Sequence, residues 1–212
     1  MSKLKLHISV SLDGFVAGPD QSEEDPLGVG GMQLHEWAFK LAAFRGPHDQ
    51  DDGIVNESTP FAEAILDNVG AVIMGRNMFG GGPGDWGDGS WKGWWGDDPP
   101  YHCPVFVLTH HPREPLEMEG GTTFHFVTDG IRSALDQARA AAGDRDVSLG
   151  GGAEAARQYL AAGLLDEINL AVVPIMLGDG ARLFEALGGI KLETTGVVAA
   201  PDATHMTLRP MR

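Results

Sequence analysis

Cysteine is nearly missing from this chain: Cys103 stands alone among 212 residues. One thiol excludes an internal disulfide framework and any multi-cysteine metal site, and it accords with a reducing, cytoplasmic location. Positive charge is scarce as well. Fifteen lysines and arginines face 30 aspartates and glutamates, a formal net charge of −15. That is the wrong sign for a nucleic acid or an anionic membrane surface, so neither is expected as a partner. A bound phosphate would have to be met by a local cluster of cations and N–H groups. No apolar run reaches membrane-spanning length. The opening MSKLKLHISV has lysines but not the long apolar core of a secretory signal. The histidines show no metal-ligand spacing beyond the adjacent His110-His111, and adjacent residues do not usually converge on one ion, so no metal site is expected. What remains is ordinary: 42% hydrophobic residues in a length that suits one domain with a full core.

The organising stretch is Asp146–Leu160, DVSLGGGAEAARQYL. A short apolar strand (Val147, Leu149) runs into Gly150, Gly151 and Gly152, and then into an alanine-rich helix that stops at Gly163. Such a turn leaves backbone N–H groups at the positive end of a helix dipole with no side chains to block approach, which suits a phosphate or pyrophosphate. A tight turn of purely structural purpose reads equally well. This stretch is neither G-x-G-x-x-G nor a P-loop.

Lys3–Val10 alternates with period two and predicts a strand with one buried face. SLDGFVAG follows, with a turn at Asp13-Gly14. Residues 19–53 carry few periodic apolar positions and read as a long loop with a short helix around His35–Phe44. Thr59-Pro60 predicts a helix start with Thr59 as cap; Phe61, Ile65 and Val69 would form its buried stripe and Gly70 its end. Ala71–Met74 is a strand entering a second strand-to-turn-to-helix junction, Gly75-Arg76-Asn77-Met78-Phe79. Gly80–Pro100 holds Trp86, Trp91, Trp94 and Trp95 among glycines and aspartates. It serves either as a core anchor or as a lid over a site. Val105–Leu108 and Phe124–Val127 are strands, and Thr128-Asp129 opens a helix with Ile131, Leu135, Ala138 and Ala142 along one face. Glu167–Leu177 reads as a long strand, and Thr194–Val198 with His205–Leu208 as an antiparallel pair. Strands alternating with helices predict a mostly parallel α/β sheet with an antiparallel edge.

Three phrases, AVIMGRNMF (Ala71–Phe79), VFVLTHHP (Val105–Pro112) and VSLGGGAEAARQYL (Val147–Leu160), resemble the dihydrofolate reductase fold in order and spacing. SLDG (Ser11–Gly14) and VVPIMLGDGARLF (Val172–Phe184) resemble more closely the reductase domain of the bifunctional riboflavin-biosynthesis deaminase/reductase. The resemblance spans nearly the whole chain. It implies a dihydrofolate-reductase-like fold with helices on both faces of the sheet, and an NADPH site at the carboxyl ends of the strands. Gly75, Arg76, Asn77 and Met78 would meet the phosphates from one side, and Thr109 and His110 would reach the 2′-phosphate. Gly150, Gly151, Gly152, Ala153 and Glu154 would cradle the pyrophosphate. Ser9 and the loop Ser11–Gly18, with Val16 and Gly18, would lie against the nicotinamide. Independently of the resemblance, Arg76, His110 and Arg113 supply cations that the chain otherwise lacks, although Arg76 also reads as a surface residue at a helix start. Asp13 is a candidate for substrate binding or proton handling, or simply a turn residue.

The implied activity is hydride transfer from NADPH to a small cyclic C=N or C=O substrate; a ribosylamino-pyrimidine reductase and a non-catalytic NADP-binding protein are the alternatives. One cysteine cannot build the zinc site of the deaminase half. A homodimer is expected, since the terminal strands leave a sheet edge to cover. Folate reductases carry a carboxylate near the start of the helix before the Gly-Arg junction. Here Thr59 falls at or near that position, so dihydrofolate is not the expected substrate.

Overall fold

The computed structural model describes residues 2–45, 52–82 and 84–211. Its centre is a nine-stranded sheet. The strands are β1 (Leu4–Ser11), β3 (Val69–Gly75), β4 (Pro104–Leu108), β5 (Leu116–Glu117), β6 (Thr123–Val127), β7 (Asp146–Gly151), β8 (Glu167–Val173), β10 (Leu192–Ala199) and β11 (Thr204–Pro210). They lie in the order β10-β11-β8-β1-β7-β3-β4-β6-β5. The six from β8 to β6 run parallel, and β10, β11 and β5 add antiparallel edges. The C-terminal edge is as expected from sequence; the two-residue β5 at the other end has no sequence signal of its own.

Parallel strands are covered on both faces, so their residues are apolar on both. β1 sits between β7 and β8, with Leu6 opposite both Leu149 and Ile168. Its alternation predicts one buried face, yet Ser9 and Ser11 are buried as well, at 4% and 2% exposure. The central position, not the residue type, decides that.

One face carries the two long helices, α5 (Gly130–Ala142) and α6 (Ala153–Ala161). Leu135, Ala138 and Ala142 of α5, with Ala156 and Leu160 of α6, pack on Ala71, Ile73, Val147 and Leu149. The opposite face is divided. Over β8 lie a 3-10 turn and the short helix α1 (Glu36–Phe39), which place Leu34, Trp37 and Ala38 against Ala171 and Val173. Over β3 and β4 no long helix is present among the described residues. Instead Trp86, Trp91 and Trp95 of the glycine-rich loop pack with Phe79 on Val72, Met74, Val105, Val107 and Phe124. Three indole N–H groups of the loop donate to backbone carbonyls: Trp86 to His111, Trp91 to Phe79 and Trp94 to Met78, all at 2.9 Å. A glycine-rich segment without periodicity can cover a sheet because large aromatics supply both area and anchoring hydrogen bonds.

Three sequence expectations are corrected. The helix at Thr59-Pro60, α3, spans only Thr59–Glu63, and Thr59 is its first residue rather than its cap. Ile65 is 36% exposed, while Val69 and Gly70 belong to β3. VGAVIMG buries almost every residue between β7 and β4, a gain that a three-residue helical stripe cannot match. β8 stops at Val173, because Pro174 has no N–H to extend the ladder. The helix expected around His35–Phe44 is split into α1 and α2 (Ala42–Arg45). Finally, β2 (Phe15–Ala17) leaves the sheet to pair with β9 (Ala181–Arg182), which holds the loop after β1 against the chain after β8.

Candidate active site

The carboxyl ends of β1, β3, β4, β6 and β7 open into one cavity of about 830 Å³. A crevice outside the carboxyl ends of parallel strands is where open α/β sheets bind ligands, because successive loops diverge there. Its floor is made by the strand-to-helix junctions. At the end of β7, Gly150, Gly151 and Gly152 line the cavity ahead of α6. No side chain caps α6, so its first-turn N–H groups have no capping side-chain acceptor, and a Cβ on Gly152 would meet nothing within 4 Å. Glu154 also lines the cavity, but its carboxylate is drawn back along the helix, 2.6 Å from Arg157 and 3.0 Å from Gln158. Those bonds hold its pKa below the usual carboxylate range.

At the end of β3, the strand paired with β7, Gly75, Arg76, Asn77 and Met78 line the adjacent part of the cavity, leading into the single-turn helix α4 (Arg76–Phe79). The Arg76 guanidinium lies 3.2 Å above the Trp86 ring, and Arg113 approaches the same ring at 5.0 Å. One Arg76 nitrogen, Nη2, donates to the Gly81 and Gly82 carbonyls at 3.0 Å. Its Nε and Nη1 are buried with no hydrogen-bond partner, and so is Nη1 of Arg113. Among the described residues no carboxylate stands within 4.0 Å of either. Burial and the neighbouring Arg113 lower the Arg76 pKa from its ordinary value. In a chain with twice as many acids as bases, two arginines that share one indole ring and have no carboxylate partner among the described residues are conspicuous.

Past β4, Thr109 and His110 complete that side; the Thr109 hydroxyl accepts the His111 N–H at 3.1 Å and fixes the turn. Thr128, Gly130 and Ile131, just beyond β6, extend it. The far wall comes from the loop that has no periodicity in the sequence: Gln21, Pro26, Leu27, His35 and Phe39, with Val16 and Ala17 of β2. Trp94 and Trp95 line the cavity too, so the tryptophan loop is both anchor and wall.

A family model, the RibD C-terminal domain, matches residues 2–206. The chain belongs to this family. RibD C-terminal domains are the reductase domain of riboflavin biosynthesis. YyaP, an uncharacterized protein of Bacillus subtilis strain 168, is 24% identical over 186 residues, covering 86% of this chain and 80% of that protein. A protein of Shewanella sp. PV-4 named for riboflavin biosynthesis shares the fold with a TM-score of 0.62, at 20% identity over 99% of both chains. So does the dihydrofolate reductase of Enterococcus faecalis, solved with NADP(H), with a TM-score of 0.55, 16% identity and coverage of 98% of this chain and 96% of that one. The dihydrofolate-reductase-like fold is thereby established.

Within this RibD-type domain, Val16, Gly75, Arg76, Asn77, Met78, Thr109, His110, Gly150, Gly151, Gly152, Ala153 and Glu154 share one cavity. Ser9, Gly18 and Asp13 do not line it. The buried Ser9 hydroxyl accepts the Trp37 indole N–H at 3.0 Å, so it fastens α1 to the sheet. Gly18 is buried and donates its N–H to Leu27 at 2.8 Å. The Asp13 carboxylate accepts the Ser11 hydroxyl at 2.5 Å and the N–H groups of Leu177 and Gly178 at 3.1 and 2.7 Å. The Ser11 bond first, then the backbone donors, hold its pKa down to about 2. Asp13 thus ties the loop after β1 to the chain after β8. Glu57 and Glu63, flanking and within α3, are both exposed and do not line the cavity.

Sequence reasoning missed the far wall and the Arg113–Trp86–Arg76 arrangement. Aromatics at Phe39 and Trp86 are visible in the sequence, but their common destination depends on contacts with distant segments.

Proposed function

We propose that this chain is a single-domain, cytoplasmic, NADPH-dependent reductase that delivers hydride to a small cyclic C=N or C=O substrate. The observation that carries this reading is the Arg76 guanidinium, with two buried, unpartnered nitrogens, in the same cavity as an open glycine cradle on the neighbouring strand. These groups suit a dinucleotide with an additional phosphate: α6 and Gly150–Gly152 would hold the pyrophosphate, and Arg76 with Thr109 and His110 the adenosine phosphate. Membership in a reductase family and the fold shared with an NADP(H)-bound enzyme support the same reading.

When bound, NADPH supplies the hydride that goes to the substrate carbon, while a solvent proton goes to the nitrogen or oxygen. The chain's own residues bind, orient and exclude water. Met78 and the glycines of β7 limit the approach from below, and Trp94, Trp95 and Phe39 wall the opening. Homodimerisation is part of the proposal: β10 is an outermost strand with Val197 58% exposed, and such an edge needs cover.

Calorimetric titration with NADPH and NADH tests the cofactor, and NADPH consumption against pterins, pyrimidines and quinones tests turnover. NADPH should bind about tenfold or more tightly than NADH, since the phosphate gains a charge-assisted pair. Equal affinities, or binding of neither, would overturn the reading; binding without turnover of any acceptor favours the non-catalytic alternative. Sedimentation at micromolar concentration should show a dimer.

A further inference from the structure

The two ends of the cavity differ in charge. The Arg76 end holds cations without carboxylates. The far wall is built by residues 11–44, a stretch with six carboxylates and one cation, Lys40. Lys40 does not line the cavity, and its ammonium pairs with Asp202 at 3.2 Å. The next cation, Arg45, pairs with Asp52 and also donates to the Phe39 carbonyl. Arg157, on the α6 side of the cavity, is held by Glu154 at 2.6 Å and Glu185 at 3.4 Å. Arg182 donates to the Asp13 carbonyl and lies 4.2 Å over the Phe15 ring.

The wall itself is aromatic and apolar. His35 stacks on Phe39 with ring centroids 6.2 Å apart, and Phe39 meets Phe44 at 5.0 Å. Leu27, Pro26 and Val16 complete it. At the rim, Gln21 donates its amide to the Pro26 carbonyl at 2.7 Å, next to Asp20, Glu23, Glu24 and Asp25. Burial drives the His35 pKa down to about 4, so the ring is neutral near pH 7 and offers one donor and one acceptor. Among the described residues a phosphate entering here meets no free cation, and the segment that builds the wall carries six carboxylates to one lysine, which disfavours a phosphate in proportion to its charge.

We propose that the substrate end takes a flat, phosphate-free aromatic or quinonoid ring, seated on Phe39 and hydrogen-bonded by His35, and rejects phosphorylated analogues such as a ribose-phosphate conjugate. This rests on the reductase reading for the identity of the other end. It departs from a substrate carrying a phosphorylated sugar, because the far wall has no charge to recognise one.

The test is equilibrium binding to the full chain, followed by tryptophan fluorescence and calorimetry, with NADPH titrated separately. The probes are lumazine, menadione, lumichrome, riboflavin and riboflavin 5′-phosphate, the last three sharing one ring with no chain, a neutral chain and a phosphorylated chain. At least one of the unphosphorylated probes should bind, and riboflavin should bind about tenfold or more tightly than its 5′-phosphate. Gln21→Lys, at an exposed position, should narrow that gap by strengthening only the phosphate. Phe39→Ala should weaken the rings about tenfold, and Phe39→Leu, which keeps apolar volume in the wall, should weaken them less. Failure of every unphosphorylated probe at millimolar concentration, or equal binding of riboflavin and its phosphate, overturns the proposal. NADPH failing to bind while the probes behave as stated overturns the reductase reading and leaves this one standing.

Discussion

Two of the three nitrogens of Arg76 are buried without an acceptor while the third holds the Gly81 and Gly82 carbonyls. The carbonyl bonds and the Trp86 face orient the guanidinium, so little side-chain entropy is left to lose when an anion arrives. A charge-assisted bond to such a group contributes roughly 1.5–3 kcal/mol. Arg76→Ala should therefore lower NADPH affinity by an order of magnitude or more and NADH affinity much less, as calorimetry will read. Equal losses for both would mean that Arg76 serves the fold alone. Gly151 carries a second constraint at this scale, since its φ of 118° is a conformation that side chains rarely adopt. Gly151→Val should abolish NADPH binding while leaving a cooperative thermal transition, and normal binding by that variant would show a purely structural turn. The Gly75-Arg76 and Gly150–Gly152 junctions are legible because a glycine turn and a neighbouring cation are local facts. The partners of Asp13 and Ser9 are not, because a hydroxyl or carboxylate beside a junction has no local sign of the group that will claim it.

Among the elements, β3 and α5 approach each other closely at Gly70. A Cβ added to Gly70 would stand 2.7 Å from the Ala142 Cα and 2.8 Å from its carbonyl oxygen. Gly70→Ala must push α5 off the sheet or distort β3, and overpacking of this kind costs about 1–3 kcal/mol. The urea midpoint should fall without a change in slope; an unchanged midpoint would show that α5 can shift freely. The same glycine was expected to end a helix from Thr59, and it lies instead inside a strand. Local pattern favoured Phe61, Ile65 and Val69 as a helical stripe. Sheet pairing on both sides of β3 overrode it, because a strand between two others buries both faces at once.

At the scale of the whole molecule, three histidines are kept neutral by burial. His7, His35 and His205 each have a pKa pushed down to about 4, chiefly by desolvation. His205 illustrates the cause: its ring stacks on Phe61 at 4.2 Å, meets Trp37 edge-on at 4.8 Å and bonds Ser58 at 2.8 Å. The unfolded chain binds these protons near the ordinary value of about 6.5, and the folded chain does not until about 4. Their contribution to stability is thus complete above that ordinary value and is lost as pH falls through the interval. The slope approaches about 1.4 kcal/mol per pH unit for each histidine. Urea midpoints should drop between about pH 7 and pH 5, before most carboxylates titrate. A flat profile across that interval would show that the histidines titrate normally in the folded state.

The sequence by itself determined the strand-to-helix junctions at Gly75-Arg76 and Gly150–Gly152, the alternation of strands and helices, and the scarcity of cations that makes Arg76 conspicuous. All of these depend on residues a few positions apart, where propensity and periodicity act directly. Only the tertiary structure decided that the tryptophan loop replaces a helix layer and that the far wall of the cavity is aromatic and uncharged. It also decided that Asp13 ties the loops. Trp37 reaches Ser9 across 28 residues of chain, and Asp13 reaches Gly178 across 165. Pairings that distant follow from which surfaces the folded sheet leaves to be covered, and no local pattern encodes them.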